Sequence, residues 1–89
     1  MNSRANPKFW RLYHALPEQV QGQARLAYRQ FRVNPGHPGL EFKKVHPARP
    51  IYSARVGIHY RAVGVTKDEE IIWFWIGPHS EYDKLLSRL

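Results

Sequence analysis

The chain has 89 residues, 43% of them apolar and 13% aromatic, with no cysteine; fourteen Lys and Arg face seven Asp and Glu, for a net charge of +7. No disulfide framework and no cysteine-based zinc site is possible, and no apolar run approaches the ~20 residues that span a bilayer. The length suits a single domain over residues 1–89, Met1 to Trp10 lack the apolar stretch of a signal peptide, and the expected compartment is the cytoplasm.

Charge is unevenly placed. From Met1 to Val65 eleven Lys and Arg face two acids, Glu18 and Glu41, whereas from Thr66 to Leu89 three face five. The densest stretch, Phe42 to Arg61, holds Lys43, Lys44, Arg49, Arg55 and Arg61 with His46 and His59 and no acid. A field of this kind attracts polyanions, phosphate above all.

Asn6-Pro7 reads as a helix start, an Asn cap followed by proline at the first helical position, and Phe9, Trp10, Tyr13 and Leu16 recur at helical spacing up to Pro17. From Glu18 to Val33, Val20, Ala24, Ala27, Tyr28 and Phe31 fall within one stripe, with Arg25, Arg29 and Arg32 expected on the opposite face. The two segments predict a helical hairpin. Asn34 to Gly39, with two prolines and two glycines, is a loop. Strands are predicted over Leu40–Val45, Ile51–Val56, His59–Val65 and Ile71–Ile76, with a turn at His46–Pro50, Gly57 ending its strand or marking a bulge or tight turn, and a polar turn at Thr66–Glu69. Phe74 is expected in the core. Gly77-Pro78 should break the last strand, and Ser80 with Asp83 three residues on carries a capping-box signature for a short helix presenting Tyr82, Leu85, Leu86 and Leu89 on one face. The predicted class is α+β: two N-terminal helices packed on a twisted antiparallel sheet of about four strands, then a short C-terminal helix.

Several segments, in this order, resemble the RelE/ParE superfamily of bacterial type II toxins. They are Leu16-Pro-Glu-Gln-Val-Gln21, Tyr28-Arg-Gln-Phe31 leading to Asn34-Pro35, Phe42-Lys-Lys-Val45, Ile51-Tyr-Ser-Ala-Arg-Val-Gly57, His59-Tyr-Arg61, and Trp73-Phe-Trp-Ile-Gly77 ending in His79-Ser-Glu-Tyr-Asp83. The resemblance implies two helices over a sheet whose concave face holds the site. It also implies one of two activities. RelE-type members enter the ribosomal A site and cleave mRNA by attack of the 2′-hydroxyl on the adjacent phosphate, leaving a 2′,3′-cyclic phosphate without a metal. ParE-type members inhibit DNA gyrase. A chain of this fold that serves only as a binding module is the third possibility. An antitoxin with an acidic or amphipathic segment is the implied partner, burying part of the groove or displacing the C-terminal helix.

Cleavage of this kind needs cations on the phosphate, proton carriers for the 2′- and 5′-oxygens, and in-line positioning. Arg55 matches the family's strand arginine. Alternation sets Tyr52, Ala54 and Val56 toward the helices and Ser53 and Arg55 toward the open face, where a guanidinium can grip a phosphate bidentately. Arg61, after Tyr60, is a second candidate cation; its shared parity with Val63 and Val65 leaves open a covered arginine held by a carboxylate. His79 stands where related members carry a basic residue, and histidine suits proton transfer near neutral pH. Tyr82 resembles a C-terminal tyrosine that nuclease members use, although packing beside Leu85 and Leu86 competes with that role. Lys43, Lys44, Arg49 and His59 are candidate RNA contacts. No histidines stand at metal-ligand spacing, and no metal or cofactor is expected. Gyrase inhibition gains if His79 and Tyr82 turn into the core or lie far from Arg55.

Overall fold

The first helix begins where the sequence places it. Asn6 is extended, its side-chain oxygen accepts a hydrogen bond from the Phe9 N–H at 2.9 Å, and Pro7 takes the first helical position, where no N–H is needed. The structure is a computed structural model describing residues 1–89. Its elements run β1 (Asn2–Ala5), α1 (Pro7–His14), α2 (Glu18–Val33), a 3-10 turn (Pro38–Leu40), β2 (Lys43–Lys44), β3 (Ile51–Val56), β4 (Tyr60–Lys67), β5 (Glu70–Pro78) and α3 (His79–Arg88). No helix is long and apolar enough to cross a membrane.

The strands form one sheet in the order β1-β5-β4-β3-β2. The α+β class is as expected, but the sheet has five strands and is mixed: β2 to β5 pair antiparallel, while β1 lies parallel to β5. Asn2–Ala5 holds no β-branched or aromatic residue, so nothing local marks it as a strand. It forms because β5 would otherwise present an open edge. Trp73 Nε1 donates to Ser3 Oγ at 2.9 Å, and Arg4 lies 3.0 Å from Glu70 to fix the register.

Two apolar layers flank the sheet. On one side α1 and α2 bring Tyr13 and Phe31 onto Ala54, Val56, Ala62, Trp73 and Ile76. On the other, α3 lays Tyr82, Leu85, Leu86 and Leu89 against Ile51, Val63 and Trp75. Trp73 and Trp75 are two residues apart yet belong to opposite layers. Val63 pairs with Trp75 and Gly64 with Trp73, so Phe74 is the extra residue of a β-bulge that reverses the alternation. Phe74 itself is half-buried against the α3 layer.

Other boundaries also depart from the sequence reading. The strand expected over Leu40–Val45 is reduced to Lys43–Lys44, because Glu41 closes the 3-10 turn in the left-handed region at φ 45° and interrupts the extended run. Gly77-Pro78 does not break β5: Gly77 pairs with Arg61 and Pro78 with Tyr60, proline being tolerated at a strand's last position. Ser80 lies inside α3 rather than capping it. The flanking residue is Pro78 with no side-chain cap, and the His79 N–H donates instead to the His59 carbonyl at 2.8 Å. Arg25 does not sit on a free outer stripe, since its Nη1 donates to the Tyr13 hydroxyl at 2.8 Å across the hairpin.

Candidate functional site

Residues paired across antiparallel strands point to the same side of the sheet. Arg55 of β3 pairs with Arg61 of β4, and Tyr52, Ala54 and Val56 pack toward α1 and α2, so both arginines face the α3 side, as expected for Arg55. Their surroundings differ. Arg55 is 38% exposed; its Nε donates to the Gly57 carbonyl at 2.9 Å and its Nη1 to Glu41 Oε2 at 3.0 Å. Arg61 is only 13% exposed, with Nη2 3.8 Å from the same oxygen. Its Nε and Nη1 are buried without a hydrogen-bond partner. Its guanidinium carbon stands 5.9 Å from the centre of the Tyr82 ring, a cation–π contact.

Lys43 pairs with Ser53 and so shares this face, while Lys44 pairs with Tyr52 on the helix-facing register. The cations act together on Glu41. The hydrogen bond from Arg55 chiefly, then the charge of Arg61, and further the charges of Arg55 and Lys43, hold its carboxyl below the usual carboxylate range against a desolvation that pushes the other way.

Tyr82 and His79 continue the cluster from α3. Tyr82 is 6% exposed, and its hydroxyl lies 3.0 Å from Ser53 Oγ. His79 is half-exposed, its Nδ1 3.3 Å from Asp83 Oδ2 and its ring edge-on to Tyr82 at 5.5 Å. A continuous series of contacts thus runs Arg55–Glu41–Arg61–Tyr82–His79. Tyr82 has an enclosed hydroxyl and its ring lies against the Arg61 guanidinium, the arrangement of the packing alternative that the sequence left open. The competing packing role is the one its surroundings favour. Arg61 likewise has the carboxylate neighbour that its parity allowed.

The remaining candidates lie around this cluster. His59 is exposed at the β3–β4 turn, and its carbonyl anchors the start of α3. Arg49 is exposed in the loop before β3; its N–H and that of Ala48 donate to His46 Nδ1, at 2.9 and 3.1 Å. With Nδ1 accepting, His46 Nε2 carries the proton and donates to the Leu89 carbonyl oxygen at 3.0 Å, tying the end of α3 to the loop. Glu41, Ser53 and Asp83 were not among the candidate site residues. Glu41 had a signal as one of two acids before Thr66. Strand alternation already set Ser53 beside Arg55, and Asp83 entered only as a capping-box residue.

The family model for the ParE-like toxin domain matches residues 18–84. The chain belongs to this toxin-domain family. The match covers both α2 and the strands that carry Arg55 and Arg61, and it places the chain in the RelE/ParE superfamily. The fold of this toxin domain is similar to that of the Methanococcus jannaschii RelB–RelE antitoxin–toxin complex, at 20% identity and TM-score 0.71 over 90% of this chain and 95% of that one. It is similar also to the Mycobacterium tuberculosis RelBE2 toxin–antitoxin complex, at 20% identity and TM-score 0.68 over 88% and 96%. A YoeB/ParE toxin from Agrobacterium tumefaciens matches at 13% identity and TM-score 0.66 over 89% and 99%. Among curated proteins no sequence matches.

Proposed function

We propose that this toxin domain is the toxin of a type II toxin–antitoxin pair and cleaves messenger RNA in the ribosomal A site. The supporting observation is the pair Arg55 and Arg61, neighbours on β3 and β4, whose guanidiniums converge on one carboxylate oxygen at 3.0 and 3.8 Å on the sheet face opposite the helical hairpin. Two guanidiniums converging on an oxyanion suit a phosphodiester and the added charge it acquires under attack.

In the proposed reaction the 2′-hydroxyl attacks the adjacent phosphorus and releases its proton to solvent. The bond from phosphorus to the 5′-oxygen breaks, and the products are a 2′,3′-cyclic phosphate and a 5′-hydroxyl. Arg55 and Arg61 hold the nonbridging oxygens. His79, exposed and oriented by Asp83, gives its proton to the leaving 5′-oxygen. Tyr82 keeps Arg61 in place. Lys43 lies on the same face and contacts the RNA backbone, with Lys44, Arg49 and His59 as peripheral contacts.

The antitoxin of this reading is an acidic amphipathic segment. A groove of about 450 Å³ on the hairpin side supports it: Phe9, Trp10, Tyr28 and Trp73 line the groove, and Arg4, Arg25 and Arg29 supply its charge. Gyrase inhibition is the second reading, and the burial of Tyr82 favours it.

A translation extract with a defined message, read by primer extension, separates the two. Cuts phased to codons are expected from the wild type, few or none from Arg55→Ala, and about a hundredfold fewer from His79→Ala. Intact message together with gyrase-linked DNA damage gives the assignment to the second reading.

A further inference from the structure

We propose that Glu41 occupies the seat of a ligand phosphate, and that its displacement from Arg55 and Arg61 sets how tightly RNA binds. That the incoming group is a phosphodiester rests on the function proposed above; that the carboxylate must leave does not.

Between Glu18 and Asp68 the chain has no acid except Glu41, and this carboxylate is placed among Lys43, Arg55 and Arg61. A single oxygen, Oε2, receives both guanidiniums. Three cations facing one carboxylate leave two positive charges uncancelled, so the cluster is built for more anion than Glu41 supplies. Arg61 shows the same shortfall at the level of atoms, with one nitrogen 3.8 Å from Oε2 and two more without a partner. A tetrahedral phosphate presents more oxygens than the one Glu41 offers.

The two sides of the contact are unequally held. Arg61 is nearly enclosed on the Tyr82 ring, and Arg55 is fixed on its strand by its bond to the Gly57 carbonyl. Glu41 belongs to no strand, follows a three-residue 3-10 turn and has a side chain 39% exposed. The exposed ion pair it makes with Arg55 is of a kind that contributes little and opens readily. The carboxylate therefore swings to solvent while the cations stay, and RNA binding is a competition between an internal and an external anion for the same guanidiniums.

The test uses the full chain and a fluorescein-labelled single-stranded RNA with 2′-O-methyl riboses, which cannot be cleaved, read by anisotropy at fixed salt. Glu41→Gln and Glu41→Asn, the latter suited to the left-handed backbone, should each bind about two- to fivefold more tightly than wild type, the scale of an exposed ion pair. The gain should vanish when Arg55→Ala is added. Unchanged or weaker binding overturns the proposal, and so does a gain that persists without Arg55, which would reflect net charge alone. A readout without mutation is the ¹³C resonance of the Glu41 carboxyl in wild type titrated with inorganic phosphate. Movement toward a free carboxylate is expected, and an unmoved resonance overturns the proposal. If message stays uncut in the translation extract while Glu41→Gln binds RNA more tightly through Arg55, the nuclease reading falls and the displacement stands. If Arg55-dependent cutting occurs with Glu41→Gln binding unchanged, the displacement alone falls.

Discussion

The hydroxyls of Tyr82 and Ser53 lie 3.0 Å apart in the layer between α3 and the sheet, and both residues are buried. Each satisfies the other, and together they fix the aromatic ring on which Arg61 rests. Tyr82→Phe should therefore destabilise the fold by about 1 kcal/mol, because Ser53 Oγ is left buried without a partner. Ser53→Ala in the Tyr82→Phe background should recover most of that loss, which urea denaturation of the four proteins of the cycle would measure. Cleavage by Tyr82→Phe should stay within a few-fold of wild type. A drop of about a hundredfold would instead return the phenol to the role of proton carrier.

Arg61 sets stability against function. Two of its nitrogens are buried and unpartnered, a condition that costs about 1–3 kcal/mol per orphaned group in protein interiors. Arg61→Met keeps an unbranched stem against Tyr82 and removes the buried charge. The variant should unfold at a denaturant concentration equal to or above that of wild type, while its cleavage and its affinity for uncleavable RNA fall. Loss of both stability and affinity would mean that the buried guanidinium is held by interactions stronger than its distances indicate.

The carboxyl of Glu41 gives the fold a pH dependence of known sign. Its ordinary value of 4.5 is lowered in the folded chain, first by the hydrogen bond from Arg55 and then by the charge of Arg61. A carboxyl lowered on folding contributes stability above its unfolded value and loses that contribution as pH falls through the folded one. The stability difference between wild type and Glu41→Gln, followed by chemical denaturation, should therefore shrink as pH drops below about 4.5 and be constant from there to neutrality. A difference that widened in acid would contradict the contacts of this carboxylate.

Gly57 ends β3 at φ +60°, and a Cβ there would stand 2.5 Å from Gln23 Oε1. Its carbonyl also receives Arg55 Nε. Gly57→Ala should cost about 1–2 kcal/mol from the left-handed backbone, and it should also weaken RNA binding by loosening Arg55. Thermal unfolding and anisotropy on the same sample separate the two effects.

Phosphate contacts leave a signature in salt. The log–log slope of RNA affinity against salt should become shallower by about 0.7 in Arg55→Ala, the share of one contact on a single strand. An unaltered slope would place Arg55 away from the backbone.

The helical hairpin, the cap at Asn6, the turn at Gly57 and the side of the sheet that Arg55 faces were all legible in the sequence. Each is dictated locally, by cap chemistry, by backbone freedom or by the two-residue alternation of a strand. The resemblance to RelE/ParE toxins was legible because its residues recur in order along the chain. What only the tertiary structure decided depends on partners distant in sequence. β1 exists because β5 has an edge to be paired, and the bulge at Phe74 sends Trp73 and Trp75 to opposite layers through the register with β4. Tyr82 is enclosed because Ser53, 29 positions away, meets its hydroxyl. Glu41 reaches Arg55 and Arg61 because a left-handed residue turns the chain out of its expected strand and back toward the sheet face. Local chemistry names the side chains that can act; long-range pairing settles which of them stand exposed and which anion they already hold.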